Sequence, residues 1–489
     1  MVLPVSLYSC AQVRALDADA IGRLGIPGVT LMQRAATAAL RALHGRWPAA
    51  RSVTIVCGPG NNGGDGYVLA RLAKAAGLEV AVLAASPPSS GDAKQACEAW
   101  TAAGGEIEPC SAQALARGEI IVDALLGTGL HGPPRAAIAR AIGEINGSGH
   151  PVLALDVPSG LDADTGAPYG EAVRADATLT FVGLKTGLYL GEGPRLCGTV
   201  LFDDLELAPL IEPPPPRIER IVAAEIARAL PRRPRTAHKG DFGSVLIVGG
   251  GEGMPGAARL AGEACLRVGA GRVTVAAAPQ NVSAIAAGRP ELMCLALRGR
   301  PMLREAAALA DVIVVGPGLG RDAWAREALE VVLESGRPLV IDADALNIIA
   351  ESPPPARTGW ILTPHPGEAG RLLGASAAEV QRDRLNALER LTARYGGTVV
   401  LKGAGTLVGA PERVPALCDR GNPGMASPGM GDVLTGVVAG ILAQCADPWI
   451  AARVGVLVHA MAGDAAARDG ERGLTAGDVI GELRHCVNA

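Results

Sequence analysis

Six β-prone residues, Ser52-Val-Thr-Ile-Val-Cys57, run directly into Gly58-Pro-Gly-Asn-Asn-Gly-Gly-Asp-Gly66, and a helical pattern follows from Tyr67 to Ala76. A strand, a glycine-rich turn and a helix in that order begin a parallel crossover unit. Leu78 to Ala84, Ile120 to Leu126 and Val152 to Asp156 add three more short apolar runs. They are continuous rather than alternating, so both faces of the sheet must be covered, which confines this part of the chain to a three-layer α/β arrangement. Upstream, Gln12 to Leu43 reads as two helical stretches separated by Gly25-Ile-Pro-Gly28.

A second α/β series follows, with strands expected at Ser244–Val248, Val273–Ala277, Val312–Val315, Leu339–Asp342, Ile361–Thr363 and Thr398–Leu401. Between the two series lies Glu212-Pro-Pro-Pro-Pro216, which lacks the N–H groups for a helix or sheet interior and acts as a stiff spacer. The expected organisation is therefore α/β with two domains, 1–212 and 235–489, joined by a proline-rich linker over 213–234. A length of 489 residues agrees with two or three domains.

Composition excludes several classes. Aromatics make up 3% and the formal net charge is −4, so neither base stacking nor an anionic surface is catered for, and no nucleic-acid or membrane partner is expected. The 10 cysteines show no CxxC spacing and read as free thiols of a reducing compartment. The best candidate for a membrane span, Val433 to Ala446, is interrupted by Thr435 and ends at Asp447, so no span is expected. No signal-peptide order is seen at the N-terminus, and the expected location is the cytoplasm.

Chemistry concentrates at strand ends. Gly58-Pro-Gly60-Asn-Asn-Gly63 and Gly251-Glu-Gly253-Met-Pro-Gly256 both fit GxGxxG, the dinucleotide fingerprint. That fingerprint also needs an acid at the end of the next strand to hold a ribose, and here those strands end in Leu83-Ala-Ala-Ser86 and Ala276-Ala-Ala-Pro279. A hydride-transferring dehydrogenase therefore remains only the alternative. Asn61, Asn62, Asp65, Asp123 and Ser159 offer oxygen donors suited to a hard cation, while Asn in such a turn equally tolerates left-handed geometry and Asp123 and Asp156 equally cap the loop or helix after them. In the second series, Ser427-Pro-Gly429-Met-Gly431-Asp432 opens an apolar helix. Free N–H groups there attract an anion, and Asp432 in the first turn can act as a base; a plain N-cap fits the same residues.

Taken together, Gly58–Gly66, Asp123-Ala-Leu-Leu-Gly-Thr-Gly129, Asp156-Val-Pro-Ser-Gly160 and Leu184-Lys185-Thr-Gly187 resemble the NAD(P)H-hydrate epimerase domain. His238-Lys-Gly240, Gly256-Ala-Ala258, Gly316-Pro-Gly-Leu-Gly320, Asp342-Ala-Asp-Ala-Leu-Asn347, Thr363-Pro-His-Pro-Gly-Glu368, Lys402-Gly-Ala-Gly-Thr406 and Gly429-Met-Gly-Asp432 resemble the ADP-dependent NAD(P)H-hydrate dehydratases of the ribokinase-like superfamily. The resemblance covers nearly the whole chain. It implies a Rossmann-like epimerase domain followed by a ribokinase-like dehydratase domain, acting on the NADH and NADPH hydrates (NADHX and NADPHX) with ADP as co-substrate. By motif, Asn61, Asn62, Gly63, Gly64, Asp65, Gly127, Thr128, Gly129, Leu130, His131, Gly132, Pro133 and Asp156 would hold the hydrate for epimerisation, with Asn62, Asp123 and Ser159 on a potassium ion. In the dehydratase half, Ala257, Gly318, His365 and Asp432 would touch the hydrate. Lys402, Gly403, Ala404, Gly405, Thr406 and Gly431 would touch the nucleotide, with Glu368 near magnesium. Asp156 and Asp432 are the expected catalytic residues, and a homo-oligomer is expected. The sequence departs from the family's pattern at Gln33-Arg34 and at Met254, before Pro255.

Overall fold

The computed structural model describes residues 3–88 and 90–488. The chain divides into two compact units, Met1–Ile218 and Glu219–Ala489.

In the first unit the sheet consists of β1 (Ser52–Cys57), β2 (Glu79–Ala84), β3 (Glu108–Pro109), β4 (Ile120–Ala124), β5 (Val152–Leu155), β6 (Ala177–Phe181) and β7 (Thr199–Asp203). The order is β3-β2-β1-β4-β5-β6-β7, and every pairing is parallel. The order reverses between β1 and β4, so their carboxyl ends open a crevice. Alternate residues serve two different cores: Ile55, Val122 and Leu153 pack with the helices Gly28–Arg46 and Asn61–Ala75, while Val56, Ile121 and Ala154 pack with Ala136–Gly147 on the opposite face. This two-sided cover is why the strands read as unbroken apolar runs. A short parallel pair, Ser6–Tyr8 with Leu184–Lys185, stands outside that sheet.

The second unit carries β8 (Ser244–Val248), β9 (Arg272–Ala277), β10 (Met293–Ala296), β11 (Val312–Val315), β12 (Leu339–Ile341), β13 (Trp360–Leu362), β14 (Thr398–Leu401), β15 (Thr406–Gly409) and β16 (Ala416–Cys418). They run β10-β9-β8-β11-β12-β13-β14-β15-β16, parallel as far as β14 and antiparallel from there to β16. The helix Met430–Cys445 is buried along most of its length. A Cβ at Gly436 would come within 2.1 Å of the Ala261 carbonyl, and one at Gly440 within 2.8 Å of that of Cys265. These two glycines, one turn apart, let the helix lie directly against Pro255–Arg267.

Four expectations change. The linker expected over 213–234 is narrower, because Glu219 and Arg220 pair with Ala416 and Leu417 and Ile221 and Ile226 enter the second core. Alternation there is too short to show in the sequence. The helix after β1 begins at Asn61, not Tyr67, so most of the glycine-rich turn is its first turns. Glycine's low helix propensity is overridden by packing: a Cβ at Gly63 would meet the Gly58 carbonyl at 2.0 Å, and one at Gly64 would meet Met32. Strands β3, β6, β7, β10, β15 and β16 were not expected, nor were the short strands Ser6–Tyr8, Leu184–Lys185 and Ile218–Arg220. Finally, one helix, Pro448–Asp469, is long and apolar enough to cross a membrane by length and composition, but 67% of its apolar window is buried as a core helix of this unit. All ten cysteines are free.

Two candidate active sites

In the first unit the turn after β1 sets the geometry. The Gly58 N–H donates to the Ala124 carbonyl (3.0 Å), and a Cβ at Gly58 would lie 1.8 Å from the Leu125 carbonyl, so only glycine permits this approach to the end of β4. Asn62 follows on the helix and is buried. Its amide donates to the carbonyls of Leu126 (2.9 Å) and Leu155 (3.2 Å), and its Oδ1 is buried with no partner. Asp123, fully buried at the end of β4, accepts from the Ser159 hydroxyl (2.6 Å), the Ser159 N–H (2.8 Å) and the Leu125 N–H (3.1 Å). Burial pushes this carboxyl up to about 6 against the lowering by those hydrogen bonds. Ser159 Oγ also accepts from the Leu126 N–H at 2.9 Å. Asn62, Asp123 and Ser159 thus converge on the backbone around Leu126.

Above them opens a cavity of about 440 Å³. Of the expected hydrate residues, Asn61, Asn62, Asp65, Gly127, Thr128, Gly129, Leu130 and Asp156 line it. Gly63 and Gly64 lie beneath as close-packing glycines, and His131, Gly132 and Pro133 lie outside the lining. Asp156 sits at φ +65°, a left-handed conformation costing a non-glycine residue roughly 1 kcal/mol. That turn aims its carboxylate inward: Oδ2 accepts the Thr128 N–H (3.2 Å) and Oδ1 lies 2.5 Å from Lys185 Nζ. Lys185 is 1% exposed and also donates to Phe181 O (2.7 Å) and Thr180 Oγ1 (3.0 Å). Lys185 belonged to a recognised motif but had no assigned role; the Asp156 pairing, 29 residues apart, has no local sequence signal. Asp17, from the helix Cys10–Gly22, also lines the cavity and was missed. Burial pushes it up to about 6, and Asp65 rises for the same reason. Gln33 is exposed and outside the lining, while Arg34 bonds the Leu205 carbonyl at 2.7 Å.

In the second unit, Gly429 adopts φ +88° and starts the helix Met430–Cys445, so the turn before Asp432 presents unpaired N–H groups. Asp432 accepts no hydrogen bond among the described residues. Burial, then the neighbouring Asp342 charge, push it up to about 7 against the pull of Lys402. Lys402, just after β14, donates to Asp342 Oδ1 at 2.7 Å and lies 3.7 Å from Glu368. A Cβ at Gly431 would stand 3.3 Å from Lys402 Nζ, which puts the ammonium against the anion-attracting turn. Asp342 Oδ2 accepts from Thr435 Oγ1 at 2.7 Å. Asp342 thus ties β12, β14 and the helix together; its motif was recognised, but this role was missed. Glu368 is buried and pushed up to about 7, chiefly by burial. It accepts the His365 N–H (2.8 Å), and His365 Nδ1 accepts the Gly367 N–H (3.0 Å), so the His-Pro-Gly-Glu run is a reciprocal helix cap. Burial, with the charges of Lys402 and Arg371, lowers the His365 imidazole. Gly318 has φ +57°, and a Cβ there would stand 2.7 Å from the Met254 carbonyl and 3.1 Å from the Ala257 Cβ.

Comparison with known proteins bears on both sites. A family described as NAD(P)H-hydrate dehydratase matches residues 245–484, and one described as YjeF-related protein N-terminus matches residues 28–187. A bifunctional NAD(P)H-hydrate repair enzyme of Coxiella burnetii is 47% identical over 99% of both chains. The protein of the same description from Escherichia coli is 44% identical over 99% of this chain and 95% of its own. Among solved structures, a ribokinase-like superfamily protein of Enterococcus faecalis is 31% identical with a TM-score of 0.51, covering 56% of this chain and 96% of that one. With relatives this similar over their whole length and both halves matched, the chain belongs to the family of bifunctional NAD(P)H-hydrate repair enzymes.

Proposed function

We propose that the first unit interconverts the R and S epimers of NADH or NADPH hydrate, and that the second dehydrates the S epimer to the intact cofactor, consuming ADP and releasing AMP and phosphate. The observation that carries this reading is the grouping of Asp432, Lys402, Asp342 and Glu368 around one anion-attracting turn. A phosphate there meets the N–H groups of Gly429 to Gly431 and the Lys402 ammonium. Asp432, held near neutrality by burial, takes the proton of the substrate C6 hydroxyl as its oxygen attacks the β-phosphorus and AMP leaves. The ring nitrogen then expels phosphate from C6, and loss of a C5 proton restores the dihydronicotinamide. Lys402 to Thr406 would carry the nucleotide, and Ala257, Gly318 and His365 the hydrate. Glu368 keeps spare acceptor capacity, and with the nucleotide it would hold the magnesium that shields a diphosphate.

In the first unit, the cavity beside Asp156 has room for the nicotinamide ring. The ion-paired Asp156 would move the proton at the C6 hydroxyl, so that water leaves one face and returns to the other. The unpartnered Asn62 Oδ1 beside Asp123 and Ser159 fits a potassium ion, which would fix the loop at Leu126 and supply charge near the substrate. A cytoplasmic homo-oligomer with no nucleic-acid or membrane partner forms part of the same reading.

The test mixes the protein with both epimers, magnesium and potassium and follows dihydronicotinamide absorbance. Complete recovery, faster than spontaneous epimerisation and only with ADP, is expected. Recovery that stalls when the S epimer is spent overturns the epimerase half, and none with ADP or ATP overturns the dehydratase half.

A further inference from the structure

Arg384 is a buried cation with no anion. It is 3% exposed, opens the helix Arg384–Tyr395, and makes no ion pair among the described residues. Its Nη1 donates to Gln381 Oε1 (2.7 Å) and the Lys402 carbonyl (3.3 Å), and its Nη2 to the carbonyls of Leu401 (3.2 Å) and Gly405 (3.2 Å). The fifth N–H, on Nε, is buried without a partner. Burial pulls the guanidinium down to about 10. A positive charge at a helix N-terminus is also opposed by the helix dipole. For stability alone, an apolar side chain of similar volume would be cheaper at such a place.

What Arg384 does is set the direction of a loop. Its three carbonyl partners belong to 401–405, all turned toward the guanidinium. In a trans peptide the N–H points opposite to the carbonyl, so the amides of Gly403 and Thr406 face away from Arg384. Gly403 has φ +140°, and a Cβ there would lie 2.6 Å from Arg384 Nη1, so the loop is shaped to let the guanidinium this close. Outward amides backed by an unneutralised positive charge form an anion-binding concavity.

We propose that Arg384 is a positioning residue for the diphosphate of the nucleotide: it holds the Leu401, Lys402 and Gly405 carbonyls inward so that the amides of Gly403 and Thr406 meet phosphate oxygens, and its charge is neutralised only when the anion arrives. This rests on the reading of 402–406 as the nucleotide loop.

Hydrogen exchange of the unaltered protein with and without ADP tests that reading first. Protection of the Gly403 and Thr406 amides is expected, and its absence overturns the loop assignment and this inference together. Arg384→Gln and Arg384→Lys are then compared, with the cooperative denaturant unfolding of the second unit, which carries Arg384, as the folding control. The KM for ADP is expected to rise about 10-fold or more in Arg384→Gln, the worth of a charge-assisted hydrogen-bond set. It should rise less in Arg384→Lys, which keeps the charge without the fork, and the KM for the hydrate should hold within about 2-fold in both. If the second unit of Arg384→Gln does not unfold cooperatively, Arg384→Lys decides alone. Protection of the loop together with an unchanged KM for ADP, or parallel rises in both KM values, overturns the role of Arg384 while leaving the loop assignment standing.

Discussion

The Lys402 ammonium lies 2.7 Å from the Asp342 carboxylate, whose other oxygen accepts from Thr435 on the helix that starts the anion-attracting turn. Asp342 is 1% exposed, so its charge must be matched in place, and Lys402 is thereby fixed against Gly431. For Lys402 burial works against the charge, but the Asp342, Glu368 and Asp432 carboxylates outweigh it and leave the ammonium above its usual range. Asp342→Asn removes the charge and keeps the shape. The expected result is a fall of about 100-fold in dehydratase kcat/KM with epimerase activity retained, read in separate assays of the two steps.

Asp432→Asn tests the base directly. A loss of roughly 1,000-fold or more in dehydratase kcat is expected, with epimerisation intact. In the unaltered protein Asp432 must be ionised to accept the proton, and burial sets it at about 7. The dehydratase kcat/KM should therefore drop as pH falls below about 7, and a profile flat down to pH 5 would exclude Asp432 as the base.

Lys185→Met leaves the Asp156 carboxylate without its counter-charge. Removing one member of a buried pair costs about 3 kcal/mol of stability, and epimerisation should slow by about 100-fold as the carboxylate loses its orientation. Dehydration of the pure S epimer should keep its rate. Denaturant unfolding and the two separate assays measure these effects.

His459 provides a stability test. It is buried on the helix Pro448–Ala466, its Nε2 has no hydrogen-bond partner among the described residues, and it is held neutral, burial lowering it to about 4. The unfolded chain takes up this proton near 6.5, so the native state binds fewer protons between those limits and stability falls as pH drops from 6.5 toward 4. One such group contributes up to ~1.4 kcal/mol per pH unit. Buried acids such as Glu368 act with the opposite sign, so the difference between the unaltered protein and His459→Gln isolates the term. Parallel curves would show that His459 does not titrate there.

Much of this was legible along the chain. β1 and β4 announce themselves as apolar runs covered on both faces, and Asp123, Asp156, Lys402 and Asp432 stand at element ends where such folds place chemistry. The sequence alone determined the α/β class, the two series of units and the strand-end acids, because these follow from hydrophobic period, glycine punctuation and local capping. The tertiary structure alone decided that Lys185 meets Asp156, that Asp342 bridges Lys402 and Thr435, and that Arg384 meets the carbonyls of Leu401, Lys402 and Gly405. Those pairings join residues from different elements, up to 93 positions apart, and depend on burial that no local pattern encodes. Packing decided the helix start at Asn61 in the same way: glycine's poor propensity is a local quantity, while the close approach of Gly58 and Gly63 exists only once the sheet and helix are assembled.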